Sequence, residues 1–254
     1  MIIKNEKERA ALIEAGKRWA RILAELEGMV APGISAEALN DFVELRIREG
    51  GGAPAFLGYK PEGARRAYPA ALCVSINDEI VHGIPNESPK ILKEGDIVSL
   101  DFGLSHNGII VDAAVTIPVG NIDTVSKKLL RATEQALTAG IAQAIPGNRM
   151  GDISHAIQKE IEGAGFSVVK ELGGHGVGDS VHEEPFIANY GRKGTGQELV
   201  EGMVLALEPI AAVGKSAVKL SPDGYTFRTK DGSRSAHFEH TILIEKGGAR
   251  IITA

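Results

Sequence analysis

Four acidic residues at the ends or centres of apolar runs carry the most informative chemistry in this sequence. Asp101 follows Ile97-Val98-Ser99-Leu100 and Asp112 follows Ile109-Ile110-Val111; between the two runs lies Ser105-His106-Asn107-Gly108, whose Asn-Gly pair signals a hairpin. A four-residue loop there predicts that Asp101 and Asp112 are direct cross-strand partners, with Cβ atoms about 4.5–5.5 Å apart on one face. An arbitrary pair of strand aspartates more commonly faces solvent. Here the apolar flanks predict burial, and buried paired acids need a cation or a shared proton.

A second pair stands in an internal repeat. Glu94-Gly95-Asp96-Ile97-Val98-Ser99-Leu100-Asp101 matches Glu201-Gly202-Met203-Val204-Leu205-Ala206-Leu207-Glu208, and Val81-His82-Gly83-Ile84-Pro85 matches Val181-His182-Glu183-Glu184-Pro185. Met29–Gly33 and the segment around Pro146 are similar helix-closing turns. Each match alone is short enough for chance; three in the same order point to duplication. Glu208 then holds the place of Asp101, and Glu239, in Phe238-Glu239-His240-Thr241-Ile242-Leu243-Ile244, is its candidate partner. Two-fold convergence would gather all four carboxylates in one pocket. Two divalent cations would neutralise them, in the arrangement of hydrolytic sites whose metals lie about 3.5–4 Å apart.

A nitrogen ligand is sought among seven histidines. His175 lies in Gly173-Gly174-His175-Gly176-Val177-Gly178, where glycines permit close backbone approach. His182 follows it, and His82 is the repeat mate of His182. A lone histidine is more often structural than catalytic, but three in glycine- or proline-framed turns exceed that expectation. His106 is expected in solvent at the hairpin turn; His155, His237 and His240 are read as structural.

The elements that must position these groups follow from periodicity. Leu12, Ala15, Trp19, Ile22, Leu23 and Leu26 predict an amphipathic helix over about residues 5–28, stopped by Pro32 and Gly33. Ser35 can cap a second helix, with Leu39, Phe42 and Val43 on one side. β-rich segments run from about Ala70, helical periodicity returns over Val125–Ile145 and again near Asp152–Gly163, and the rest reads as strands and loops. The expectation is an α/β chain whose 254 residues form one pseudo-two-fold domain, with halves of about 1–120 and 121–254 and no Gly/Ser/Pro-rich linker between them.

Composition narrows the partners. Hydrophobic residues at 43% and charged residues at 24% exclude disordered and fibrous classes. A net charge of −5 without a Lys/Arg block gives no footprint for nucleic acid. The single cysteine, Cys73, forms no internal disulfide and points to a reducing, cytoplasmic compartment. No signal-peptide pattern opens the chain, and no stretch approaches the roughly 18–20 apolar residues that span a bilayer.

Taken together, NDEIVHGIP, EGDIVSLDFG, VDAAVT, GHGVGDSVHEEP, EGMVLALEP and FEHTILI resemble the type I methionine aminopeptidases over essentially the whole chain. The resemblance implies the pita-bread fold, a curved antiparallel β-sheet covered by two helix pairs. It implies that Asp101, Asp112, His175, Glu208 and Glu239 ligate two metals, with Asp112 and Glu239 bridging. His82 and His182 would face the substrate, His182 would stabilise charge on the scissile carbonyl, and Glu208 would also shuttle the proton from the attacking water to the leaving amine. Tyr59, Tyr68, Cys73, Val181 and Tyr225 align with the walls of the methionine pocket, and the 60–67 stretch between the first two is longer than the family's usual spacing. The oxygen-rich ligand set suits Mn²⁺, Fe²⁺ or Co²⁺, with Zn²⁺ and Ni²⁺ as further candidates. The implied substrate is the N-terminal methionine of newly made chains with a small second residue. The implied setting is a cytoplasmic monomer that could associate with the ribosome. Ile2 predicts that this chain keeps its own Met1.

Two alternatives stay open at this stage. Proline-specific aminopeptidases and dipeptidases share the fold and metal set but usually carry an added N-terminal domain, and only some 90 residues precede the first ligand strand here. A non-catalytic binding protein on the same fold would typically have lost ligands, and all five are present. Type II enzymes insert a long helical segment where only 25 residues separate His182 from Glu208. No GxSxG or HExxH occurs, and GHGVG lacks the strand–helix frame of a dinucleotide loop.

Overall fold

The computed structural model describes residues 1–254. The first half runs α1 (Glu6–Glu27), α2 (Ala36–Glu49), β1 (Ala53–Pro54), β2 (Cys73–Ile76), β3 (Glu79–Val81), β4 (Ile97–His106) and β5 (Ile109–Pro118). The second runs α3 (Thr124–Gln143), α4 (Met150–Gly163), β6 (Ser167–Val168), β7 (Gly173–Gly176), β8 (Glu183–Ala188), β9 (Val204–Leu207) and β10 (Ile210–Ala212). It closes with β11 (Val218–Leu220), β12 (Phe227–Thr229), β13 (Ser235–His237), β14 (His240–Glu245) and β15 (Gly248–Ile251).

The helices begin where the sequence supplies caps. The side chains of Asn5, Ser35 and Asp123 accept from the backbone N–H groups of Glu8, Ala38 and Ser126, satisfying donors that the first helical turn leaves unpaired. Each helix pair buries its apolar stripe on sheet. α1 and α2 pack on β4 and β5, where Trp19 stacks on Phe102 with ring centroids 4.8 Å apart and donates its indole N–H to the Phe102 carbonyl at 2.6 Å. α3 and α4 share a second core with β9 and β14 through Leu129, Ile153, Ile157, Leu205 and Ile242.

All strand pairing is antiparallel. One sheet has the order β1-β4-β2 with β5 also on β4, and another has the order β15-β14-β9-β7-β8. They meet along a seam. Ala114 of β5 bridges Glu239, with Glu239 N–H donating to Ala114 O at 2.8 Å. Two residues to either side, threonine hydroxyls replace the direct backbone ladder. Thr241 Oγ1 accepts from Asp112 N–H at 2.9 Å and donates to Asp112 O at 2.7 Å; Thr116 Oγ1 accepts from His237 N–H at 2.8 Å and donates to His237 O at 2.7 Å.

The hairpin register differs from the sequence expectation. The turn is the two residues Asn107-Gly108, both in the left-handed region (φ 52° and 80°), a conformation Gly adopts freely and Asn tolerates. His106 therefore pairs with Ile109, Asp101 faces Ala114, and Asp112 faces Gly103. A slip of two residues preserves side-chain parity, so Asp101 and Asp112 stay on one face as diagonal rather than direct neighbours. His106, expected in solvent, is half-buried as the last residue of β4.

Candidate metal centre

The carboxylates converge where the seam crosses the sheets. Asp112 is fixed by the Thr241 clamp, and Glu239 by its backbone bridge to Ala114. Asp101 lies one diagonal away on β4, and Glu208 directly follows β9. His175 arrives on β7, where it pairs with Ala206 of β9. The flanking glycines make that approach feasible: a Cβ on Gly174 would stand 2.3 Å from Ala206 O, and one on Gly176 would stand 2.3 Å from Glu184 O. Ligand-capable atoms of Asp112, His175 and Glu239 all lie within 4.8 Å of one another. His175 Nε2 is 3.6 Å from Glu208.

These groups are buried with lone pairs unused. Asp101, Asp112, His175 and Glu239 are each at most 6% exposed, and Asp101 Oδ1, Asp112 Oδ1 and Glu239 Oε1 have no hydrogen-bond partner. Burial pushes the Asp112 carboxyl up to about 8, with the neighbouring Glu208 charge adding to the shift. Asp101 and Glu239 rise well above the carboxylate range through burial and then their acidic neighbours, and Glu208 rises through burial. Burial also lowers His175 to about 3. Its Nδ1 lies 2.9 Å from the Gly176 carbonyl, which can only accept, so Nδ1 carries the proton and Nε2 presents its lone pair. Orphaned carboxylate oxygens beside a neutral imidazole fit a divalent cation, which would remove both the mutual repulsion and the unsatisfied acceptors.

Above this floor is a cavity of about 250 Å³. Its lining includes His82, His182, Tyr59, Tyr68, Cys73 and Tyr225, all named from the sequence. Val181 packs in the same apolar cluster as Phe56, Tyr68, Cys73 and Tyr225. The rings of Tyr68 and Tyr225 meet edge-on at 5.1 Å, and burial raises the Tyr68 phenol and Cys73 thiol, keeping that wall uncharged. His82 adopts a left-handed backbone (φ 58°), an uncommon conformation for a residue with a Cβ, and burial lowers its ring to about 3. Pro61, Glu62 and Ala64, from the 60–67 excursion, also line the cavity. A second cleft, of about 470 Å³, shares His82, His175, His182 and Glu208 and opens toward Glu184 and Phe186.

His237, which the sequence alone presents as structural, lies at this centre. It is 2% exposed, with Nε2 3.5 Å from Glu208 and 3.7 Å from Glu239, and neither ring nitrogen is hydrogen-bonded. The missed signal was strand parity, because residues 237 and 239 on an extended segment face the same way. Phe56 and Phe227 also line the cavity without having been singled out.

Against known proteins, the profile of metallopeptidase family M24 matches residues 10–246. Methionine aminopeptidase 1 of Bacillus subtilis (strain 168) is 44% identical over 253 residues, covering 100% of this chain and 99% of the relative. A crystal structure of methionine aminopeptidase from Thermotoga maritima superposes with a TM-score of 0.94 at 45% identity, covering 100% of this chain and 99% of that one. The prolidase of Pyrococcus furiosus, at 21% identity and TM-score 0.75, shares the fold but has only 65% of its length covered.

Proposed function

The chain belongs to metallopeptidase family M24, and from that premise we propose that it removes the N-terminal methionine from newly synthesised chains whose second residue is small. The observation carrying this reading is the cluster of Asp112, His175 and Glu239, with Asp101 and Glu208 beside it, at the floor of a cavity with an apolar wall. The proline-specific alternative has less support, because the likeness to prolidase is one of fold alone. A non-catalytic role is disfavoured by the complete ligand set.

Asp101, Asp112, His175, Glu208 and Glu239 would hold two divalent cations, with Mn²⁺, Fe²⁺ or Co²⁺ favoured by the oxygen-rich set. When bound, the cations supply Lewis acidity, lowering the pKa of a water and polarising the scissile carbonyl. The chain's own groups do the rest. Tyr59, Tyr68, Cys73 and Tyr225 receive the unbranched thioether in a wall of aromatic and sulfur surface. His82 and His182, neutral because burial lowers both rings, donate hydrogen bonds to the peptide instead of repelling the α-amine. Glu208 takes the proton that the attacking water loses and passes it to the leaving amine. His237 presents an unpartnered ring nitrogen beside Glu208 and Glu239. We read the whole chain as one catalytic unit whose halves each contribute ligands. Its single cysteine supports a cytoplasmic setting, and no helix is long and apolar enough to cross a membrane.

Asp112→Ala should lose both bound cation and turnover of Met-Ala-Ser, whereas His82→Ala should keep the cation and turn over slowly. Full activity in the first variant, or cation loss in the second, would overturn these assignments.

A further inference from the structure

Tyr59 makes a contact that a pocket wall does not require. Its hydroxyl lies 2.9 Å from His182 Nδ1, with the ring centroids 5.4 Å apart, and has no other hydrogen-bond partner. The backbone that carries the ring is pinned at this place. Tyr59 N–H donates to Phe56 O at 2.9 Å, Tyr68 N–H donates to Tyr59 O at 2.8 Å, and Gly58 N–H donates to Tyr68 O at 2.9 Å, stapling the base of the 60–67 excursion. Its far end is tied by Arg66, which pairs with Glu87 and donates to Asp223 O at 3.1 Å.

The phenol oxygen can donate or accept, and His182 Nδ1 is its one protein partner. With Nδ1 accepting, the neutral ring carries its own proton on Nε2, across the ring from Tyr59. His175, whose ring centroid is only 4.5 Å from that of His182, shows the opposite assignment, because its Nδ1 faces a carbonyl and must donate. Two adjacent histidines thus meet different partners at Nδ1: a carbonyl fixes His175 with a lone pair on Nε2, and a hydroxyl that donates gives His182 the opposite tautomer, with an N–H on Nε2.

We infer that Tyr59 is a positioning residue that holds His182 as the Nε2–H tautomer, so that this N–H is aimed at the scissile carbonyl oxygen as negative charge develops there. This rests on the substrate-facing role of His182 proposed above. Phenylalanine at position 59 keeps the ring against the pocket and removes only the hydroxyl.

The test is steady-state hydrolysis of Met-Ala-Ser by the Mn²⁺-loaded enzyme in four forms: wild type, Tyr59→Phe, His182→Ala and the double variant. Loss of one supporting hydrogen bond corresponds to a rate change of about 10-fold. Tyr59→Phe is therefore expected to lower kcat about 10-fold, with KM and bound Mn²⁺ nearly unchanged, and the double variant is expected to be no slower than His182→Ala alone, as for groups acting as one unit. A crippled His182→Ala beside an unimpaired Tyr59→Phe, or penalties that multiply in the double variant, would overturn the inference alone. A His182→Ala enzyme running at the wild-type rate would overturn the reading of His182 and the inference with it.

Discussion

Replacing Thr241 with valine tests how the two halves hold Asp112 in place. Thr241 is fully buried, and its hydroxyl both accepts from Asp112 N–H at 2.9 Å and donates to Asp112 O at 2.7 Å. Valine keeps the shape and removes the hydroxyl, leaving a buried donor and a buried acceptor on β5 without these partners. Each such group costs about 1–3 kcal/mol. The expected loss is therefore about 2–6 kcal/mol, or on the order of 10 °C in Tm for a chain of this size. Urea unfolding of the cation-free protein should show a lower midpoint at an unchanged slope. Thr241→Ser keeps the hydroxyl and removes one methyl, so it should cost only about 1 kcal/mol. If valine proved no more costly than serine, the hydroxyl clamp would not be what secures the seam.

Two further perturbations probe the site. Gly174→Ala places a Cβ 2.3 Å from Ala206 O, so β7 must shift and carry His175 with it; Mn²⁺ affinity should fall about 10-fold or more while helical circular dichroism is kept, and wild-type affinity would contradict the close-approach argument. His82 is held near 3 in the folded chain against about 6.5 when unfolded, so between those values the unfolded state binds the extra proton and stability drops as pH falls. Without cations, His82→Asn should therefore gain on wild type as pH drops from about 6.5 towards 3, by at most about 1.4 kcal/mol per pH unit, and a gap independent of pH would show that the ring is not held neutral.

The sequence made the clustered acids legible because the chemistry is local to each strand: an acid closing or interrupting an apolar run stays visible whatever the strand pairs with. Asp101, Asp112, Glu208 and Glu239 were found in this way, and the caps at Ser35 and the stop at Gly33 placed the first helix pair. The hairpin register was misread because loop length, which decides pairing, depends on whether Ser105 and His106 extend the strand, and only the left-handed pair Asn107-Gly108 settles that. His237 was passed over because a buried histidine on a strand looks the same in sequence whether it faces a core or a cavity. Its parity with Glu239 is what distinguishes the two. The Thr241 and Thr116 clamps and the Tyr59–His182 contact join residues 120 or more positions apart, and no local pattern announces them.

Buried acids from both halves are proposed to bind divalent cations that make an N-terminal methionine cleavable. Hydrolysis of Met-Ala-Ser, followed while chelator-stripped protein is titrated with Mn²⁺, measures this directly. No turnover is expected before addition, with turnover rising as cations bind and no matching release from an Xaa-Pro peptide in parallel. Undiminished Met-Ala-Ser cleavage by the stripped protein, or a cation-loaded protein inert to it, would contradict the account.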